Sequence, residues 1–292
     1  SLVRRRSAIV GMVVLELANP FVAPVIDAVQ AAAREQGHHL MISQSERRLE
    51  LERASVLRLQ EMRVAGALVL PVARDYAHLE RLRAGGTPVV AIARSWEGGD
   101  YVTFDDSAGG RLAGMHLLQL GHRRIGSLAL AEPGNTAVQA RLGGLEEAMR
   151  SWGLRPNPRH HLCAAQQTIA EGIRAADAFA ELSERPSAVF VTADRLAIGF
   201  LHGLRQRGLR VPQDVAVVGY DDIEYNEFLE VPLTSIALPR EDLGRLAAEI
   251  LFDRMAAGNT ADPLRQVQLA PRLIVRASCG ASLGNGCAPP RM

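Results

Sequence analysis

Few residues in this chain have both the type and the spacing for covalent chemistry. Residues 280–284, GASLG, satisfy G-x-S-x-G, in which a serine nucleophile sits on a sharp turn between a strand and a helix. No helical periodicity follows here, so the match reads as chance. His160, His161 and Cys163 carry donor atoms that suit zinc, but they crowd into one segment beside Pro156 and Pro158, with no second ligand cluster at a metal-binding spacing. A solvated loop is the better reading. A G-x-x-x-x-G-K-[ST] phosphate loop is absent, and so is G-x-G-x-x-G after the first apolar run. With no catalytic constellation, metal site or cofactor motif, the chain does not read as an enzyme.

Recognition chemistry is better represented. The segments NPF (19–21), AR (93–94), FDD (104–106), TAD (192–194) and YDD (220–222) each follow an apolar run of strand length. In an open parallel sheet, ligands bind beyond the carboxyl ends of the strands, so these segments are expected to converge on one cleft. Each also has a plainer reading. Asn19 before Pro20 is a strong helix start in itself, Asp194 can cap the helix after it, and Asp106 and Asp222 can be loop acids.

The elements that must position these groups alternate along the chain. Strands are expected at Ala8–Leu15, His39–Ser43, Gly66–Leu70 and Val89–Ala93, with helices at Pro20–Gln36, Glu46–Met62 and Tyr76–Ala84 between them. The pattern restarts with strand Tyr101–Phe104, helix Ser107–Leu120, strand Arg124–Leu130, a helix reaching Trp152 and a helix over Ile169–Leu182. Strand Ala188–Ala193, helix Arg195–Arg207 and strand Val215–Gly219 complete this half. A helix over Arg240–Ala257 and a last strand at Val267–Val275 must join sheets already formed, and the Gly-, Ser- and Pro-rich end beyond Arg276 reads as a disordered tail. The fold class is therefore α/β, two doubly wound parallel-sheet lobes in tandem joined by a multi-strand hinge.

Composition agrees. At 292 residues and 48% hydrophobic content the chain supports two cores, and its longest apolar run is well short of the roughly 20 residues that cross a bilayer. Every basic residue is an arginine, and the net charge of +1 argues against a surface that coats nucleic acid. Three scattered cysteines do not make a disulfide framework and fit a reducing cytoplasm. RRRSAIVGMVVLELANPF, residues 4–21, imitates a secretory signal but equally spells a buried strand followed by a helix start.

Several ordered strings resemble the ligand-binding core of the lac repressor and purine repressor family of bacterial transcription regulators, which is akin to periplasmic sugar-binding proteins. They are NPF, LGHRRIGSLAL (120–130), ARLGGLEEAM (140–149), PSAVFVTADRLAIG (186–199), GLRVPQDVAVVGYDDIE (208–224), PLTSIALPREDLG (232–244) and APRLIVRAS (270–278). The resemblance makes the apolar run at residues 8–15 the first strand. It makes residues 1–6 a linker from an N-terminal helix-turn-helix headpiece not included here, and the chain a fragment that binds operator DNA weakly by itself. It implies an N-terminal lobe of residues 7–106 plus 238–264, a C-terminal lobe of 107–237 plus 265–281, and a tail at 282–292. A small effector between the lobes would change the lobe angle and so the operator affinity of a homodimer, with helix Pro20–Gln36 and the helix near Glu46 in its interface. The competing class is a solute-binding protein for uptake, which has the same lobes at an extracytoplasmic address.

By the same resemblance the effector-binding residues are Asn19, Phe21, Arg94, Asp105, Arg141, Asp194 and Asp221. Sugar-binding relatives commonly carry Asp before Arg94, Asn before Asp194 and Gln at position 238, where this chain has Ala93, Ala193 and Leu238. Losing three groups that read hydroxyls while keeping Arg94 and Arg141 points away from a neutral polyhydroxylated sugar. A sugar acid or another small carboxylate held by the arginine forks is the expected effector. The alternative is that Arg141 orders the cleft through carboxylates such as Asp221.

Overall fold

The computed structural model describes residues 8–132, 134–257 and 263–281. The expected linker at 1–6, the tail at 282–292 and most of GASLG lie outside the described residues. In chain order the elements are β1 (Ile9–Val14), α1 (Val22–Glu35), β2 (His39–Gln44), α2 (Leu49–Glu61), β3 (Gly66–Val69), α3 (Ala77–Ala84), β4 (Val89–Ile92), β5 (Asp100–Phe104), α4 (Asp106–Gln119) and β6 (Ile125–Leu130). They continue as α5 (Thr136–Ser151), β7 (His161–Ala164), α6 (Ile169–Ala180), β8 (Ala188–Val191), α7 (Asp194–Gln206), β9 (Ala216–Asp221), β10 (Thr234–Ala237), α8 (Arg240–Ala257), β11 (Gln266–Leu269) and β12 (Arg272–Ile274).

The chain divides into two compact units. One holds residues 8–104 together with residues 239–257 and 263–269; the other holds the described residues of Asp105–Leu238 and residues 270–281. The sheet of the first has the order β11-β5-β4-β3-β1-β2, with every pairing parallel. The sheet of the second has the order β12-β10-β9-β8-β6-β7, and only β12 runs antiparallel, against β10.

Each core follows from uninterrupted apolar strands covered by helices. Val13, Val69, Leu79, Leu82, Ala91 and Trp96 form one cluster in the first unit, and Leu128, Phe179, Val191, Phe200 and Val217 form one in the second. Each large side chain so enclosed contributes about 1.5–3 kcal/mol of transfer free energy. The apolar run at residues 8–15 is thus an inner strand, β1, buried from Val10 to Val14. Among the described residues no helix is long and apolar enough to cross a membrane.

Five sequence expectations change. The segment expected as a loop around His160–Cys163 contains β7, a sheet edge paired with β6, whose alternating exposure leaves no apolar run to read. The last strand is two strands divided at Ala270-Pro271. Residues 265–269, expected in the second lobe, pair instead with β5 of the first, because β11 runs beside Tyr101–Phe104. Glu46 and Arg47 take left-handed conformations, φ 52° and 57°, so α2 begins three residues later than its periodicity suggests. Finally, the chain just beyond Arg276 is packed: Ser278 is buried, donating to the Val217 carbonyl at 2.7 Å and accepting from the Thr234 amide at 2.8 Å.

In the second unit α4 crosses α5 at Gly110 and Gly144. A Cβ at Gly110 would collide with the Arg141 carbonyl, and one at Gly144 with the Ser107 carbonyl. This close crossing brings Asp106, at the start of α4, beside Arg141 on α5.

Candidate functional site

In the first unit the strand order reverses between β1 and β3, so the loops at their carboxyl ends are where a ligand is expected. The Asn19 side chain accepts from the Phe21 amide at 3.1 Å, and its carbonyl accepts from the Val22 amide at 2.9 Å. This turn starts α1 and sets the Phe21 ring edge-on to Phe104, with centroids 6.1 Å apart. At the end of β4, Ala93 takes a left-handed conformation, φ 58°, which redirects the chain so that Arg94 leaves the sheet. An L-residue with a Cβ holds such a conformation at a cost, which marks the position as constrained by its surroundings.

The second unit is built around Arg141, which is 8% exposed. Its Nε donates to Asp106 Oδ1 at 2.8 Å, and one terminal nitrogen donates to the Thr192 carbonyl at 2.7 Å. That same nitrogen lies 3.9 Å from Asp221 Oδ1, and the guanidinium stacks 3.7 Å from the Tyr220 ring centroid. The Tyr220 hydroxyl donates to Asp106 Oδ1 at 2.9 Å. Burial works against the Arg141 charge, but Asp106, the Tyr220 phenol and Asp221 hold it protonated. Tyr220 is pushed well above the usual phenol range, chiefly by burial. These contacts tie the guanidinium to Asp106, the Thr192 carbonyl and the Tyr220 ring.

Asp221 and Asp222, at the end of β9, both have positive φ, 110° and 51°. Asp222 is held by Arg276 at 2.6 Å, and Arg276 also donates to the Leu233 carbonyl at 2.8 Å. The ends of β4 and β9 thus share one device, a strained residue beside a charged side chain.

Asp194 does not cap α7. It is fully buried, and its carboxylate accepts from Ser235 Oγ (2.8 Å), the Ile223 amide (3.0 Å) and Asn226 Nδ2 (2.7 Å). It therefore fastens the segment after β9 from beneath. Asp105 is the N-cap of α4, accepting from the Ala108 amide at 2.8 Å. Of the expected residues, Arg141 and Asp221 come together in the second unit, whereas Asp105 and Asp194 are occupied by backbone and packing partners. Asp106, Thr192 and Tyr220 complete the cluster; two adjacent acids cannot be told apart by type, and a tyrosine inside an apolar strand reads as core.

Outside this cluster, His160 Nε2 lies 3.0 Å from the Glu184 carbonyl and His161 Nδ1 lies 2.7 Å from Ser127 Oγ. Among the described residues no group of three or more His, Cys, Asp or Glu is arranged to hold a metal.

Asp194 is expected to make stability depend on pH. Burial and the neighbouring Asp221 push its carboxyl up to about 7 from 3.8, against the pull of its three donors. A folded carboxyl that holds its proton more tightly than the unfolded one contributes fully below about pH 4, and the contribution is lost as pH rises through about 7. Urea unfolding at pH 5 and pH 8 should show a loss of at most about 3 kcal/mol across that window, and Asp194→Asn should flatten it. An unchanged slope in the variant would assign the dependence elsewhere.

Residues 115–279 match the family model described as a periplasmic binding protein-like domain. The HTH-type transcriptional regulator CelR of Thermobifida fusca is 34% identical over 287 residues, covering 95% of this chain and 83% of CelR. The HTH-type transcriptional repressor PurR of Photobacterium profundum is 31% identical over 272 residues, covering 92% of this chain and 80% of PurR. The solved CelR–cellobiose complex superposes with a TM-score of 0.84 at 34% identity, over 94% of this chain and 85% of that one. A LacI family transcriptional regulator from Enterococcus faecium with bound ribose superposes with a TM-score of 0.81 at 26% identity, over 92% of this chain and 98% of that one.

Proposed function

The chain belongs to the LacI family of transcriptional regulators and is an effector-sensing core, and on that premise we propose that its effector is a small neutral saccharide. The observation that carries this reading is the commitment of Arg141. Its charge is matched by Asp106 and Asp221, so Arg141 itself is not a free fork for an anion, while Asp221 stands at the end of β9 as an acceptor for ligand hydroxyls. The relatives solved with cellobiose and with ribose support a sugar. Ala93, Ala193 and Leu238 supply no side-chain hydrogen bonds, which favours a sugar with an apolar face as well as hydroxyls.

In this reading Asn19, Phe21 and Arg94 serve the effector from the first lobe, and Asp221 from the second. Asp105 and Asp194 hold the loops that present them. A ligand shifts a regulator only by binding one of its states more tightly, so the effector acts by favouring one lobe arrangement of a cytoplasmic homodimer on operator DNA.

Thermal-shift measurements with cellobiose, ribose, gluconate and glucuronate test the ligand class. A neutral sugar at about a hundred times its Kd should stabilise the core by about 3 kcal/mol, while the acids at equal concentration give less. Stabilisation by the acids alone would overturn the neutral-sugar reading and restore the carboxylate one.

A further inference from the structure

In the first lobe, α2 carries a carboxylate with no access to solvent: Glu52 is 0% exposed. Its Oε1 lies 2.6 Å from His78 Nε2 on α3, and its Oε2 accepts from the Val72 amide at 2.5 Å. His78 is 4% exposed, and its other ring nitrogen, Nδ1, is buried without a hydrogen-bond partner. Enclosing a carboxylate is costly, and an apolar pair of similar volume is often as stable or more so. Stability alone therefore does not account for the pair.

What the pair holds is the loop of residues 71–76, which leaves β3 beside the reversal in strand order. Val72 is pinned by Glu52 at one end. Arg53, next to Glu52 on α2, meets Asp75 at 2.5 Å, and Asp75 accepts from the Ala77 amide at 3.2 Å to start α3. At the far end the Tyr76 hydroxyl donates to the Ser95 carbonyl at 2.6 Å, next to Arg94, and its ring lies against buried Trp96 with centroids 5.9 Å apart. Burial pushes the Tyr76 hydroxyl above the usual phenol range, and the charges of Arg94 and Arg74 oppose that rise. One loop is thus tied to the buried pair on one side and to the segment carrying Arg94 on the other.

We infer that Glu52 and His78 are positioning residues for the effector surface of the first lobe, and that the loop they fix, with Arg74 and Tyr76, is a wall of that surface that sets effector affinity and selectivity. The inference rests on the effector-sensing reading. It adds a wall that none of the expected site residues belongs to.

The test compares three variants of the whole chain with the wild type: the double variant Glu52→Met/His78→Leu, which removes both polar members at similar volume; Glu52→Gln, which keeps an acceptor for Val72; and Tyr76→Phe, which leaves the core intact. Amide hydrogen exchange is followed alongside titration with cellobiose and ribose. In the double variant, exchange at Val72–Tyr76 should quicken about tenfold or more while β1 and β3 keep their protection, and sugar affinity should fall about tenfold with an altered cellobiose-to-ribose ratio. Tyr76→Phe should change both in the same direction, and Glu52→Gln should stay near wild type. Loop exchange unchanged in both the double variant and Tyr76→Phe overturns the inference, as does a loosened loop with intact affinities and ratio. If the wild type binds neither sugar, the saccharide reading fails separately, and unchanged or quickened loop exchange still decides against or for the anchor.

Discussion

Arg141→Ala is expected to destabilise the second lobe by about 3–5 kcal/mol, lowering its unfolding midpoint by about 10 °C or more. The guanidinium joins Asp106, the Thr192 carbonyl, Asp221 and the face of Tyr220 in one buried cluster. Without it, the buried Asp106 carboxylate loses its cation in a medium of low dielectric. Lysine should not restore the loss, because a point charge cannot span Asp106 and Thr192 while lying flat on Tyr220. Thermal and urea unfolding of both variants measure this, and a loss under about 1 kcal/mol, the range of an exposed ion pair, would contradict the buried role.

The strands are legible because buried parallel strands need apolar side chains on both faces, and runs such as IVGMVV and AVFV have little other use. What the sequence hides is partnership. The chain around 265–275 carries enough apolar residues for one strand, but no residue type shows that Gln266–Leu269 pairs with β5 and Arg272–Ile274 with β10. Edge strand β7 is invisible because only its alternate residues are covered. In the candidate site, Asn19 is legible as a helix start and its side chain does make that turn. Of the acids at 105 and 106 the sequence selects Asp105, which caps a helix, whereas Asp106 meets Arg141. The Glu52–His78 pair is unreadable for the same reason: a glutamate in a helix reads as solvated until the fold encloses it.

The second large effect is expected in the first lobe. Arg254 of α8 is 8% exposed and grips Asp100 with two bonds, Nε to Oδ2 at 2.8 Å and Nη2 to Oδ1 at 2.9 Å, while Nη2 also reaches the Pro263 carbonyl at 2.8 Å. Asp100 Oδ1 in turn accepts from the Arg265 amide at 2.7 Å. One guanidinium thus joins α8, the start of β5 and the approach to β11. Arg254→Ala should cost about 3–5 kcal/mol, because Asp100 is left buried with its main partner gone. Replacing both residues by apolar ones of similar volume should recover much of that loss. Urea unfolding of the single and double variants reads the difference, and equal losses in the two would show that the charge left behind is not the cause.

The central claim is that the carboxyl-end groups of the two lobes receive the effector. It is tested most directly by NMR of the labelled chain, following backbone amides and arginine Nε–H groups as the sugar that stabilises the protein is titrated in. The largest shifts are expected at Asn19, Phe21, Arg94 and Asp221–Ile223, with residues at the amino ends of the strands, such as Gly126 and Ala188, unmoved. Saturable shifts confined to those amino ends, or to surfaces remote from all five carboxyl-end segments, would contradict it.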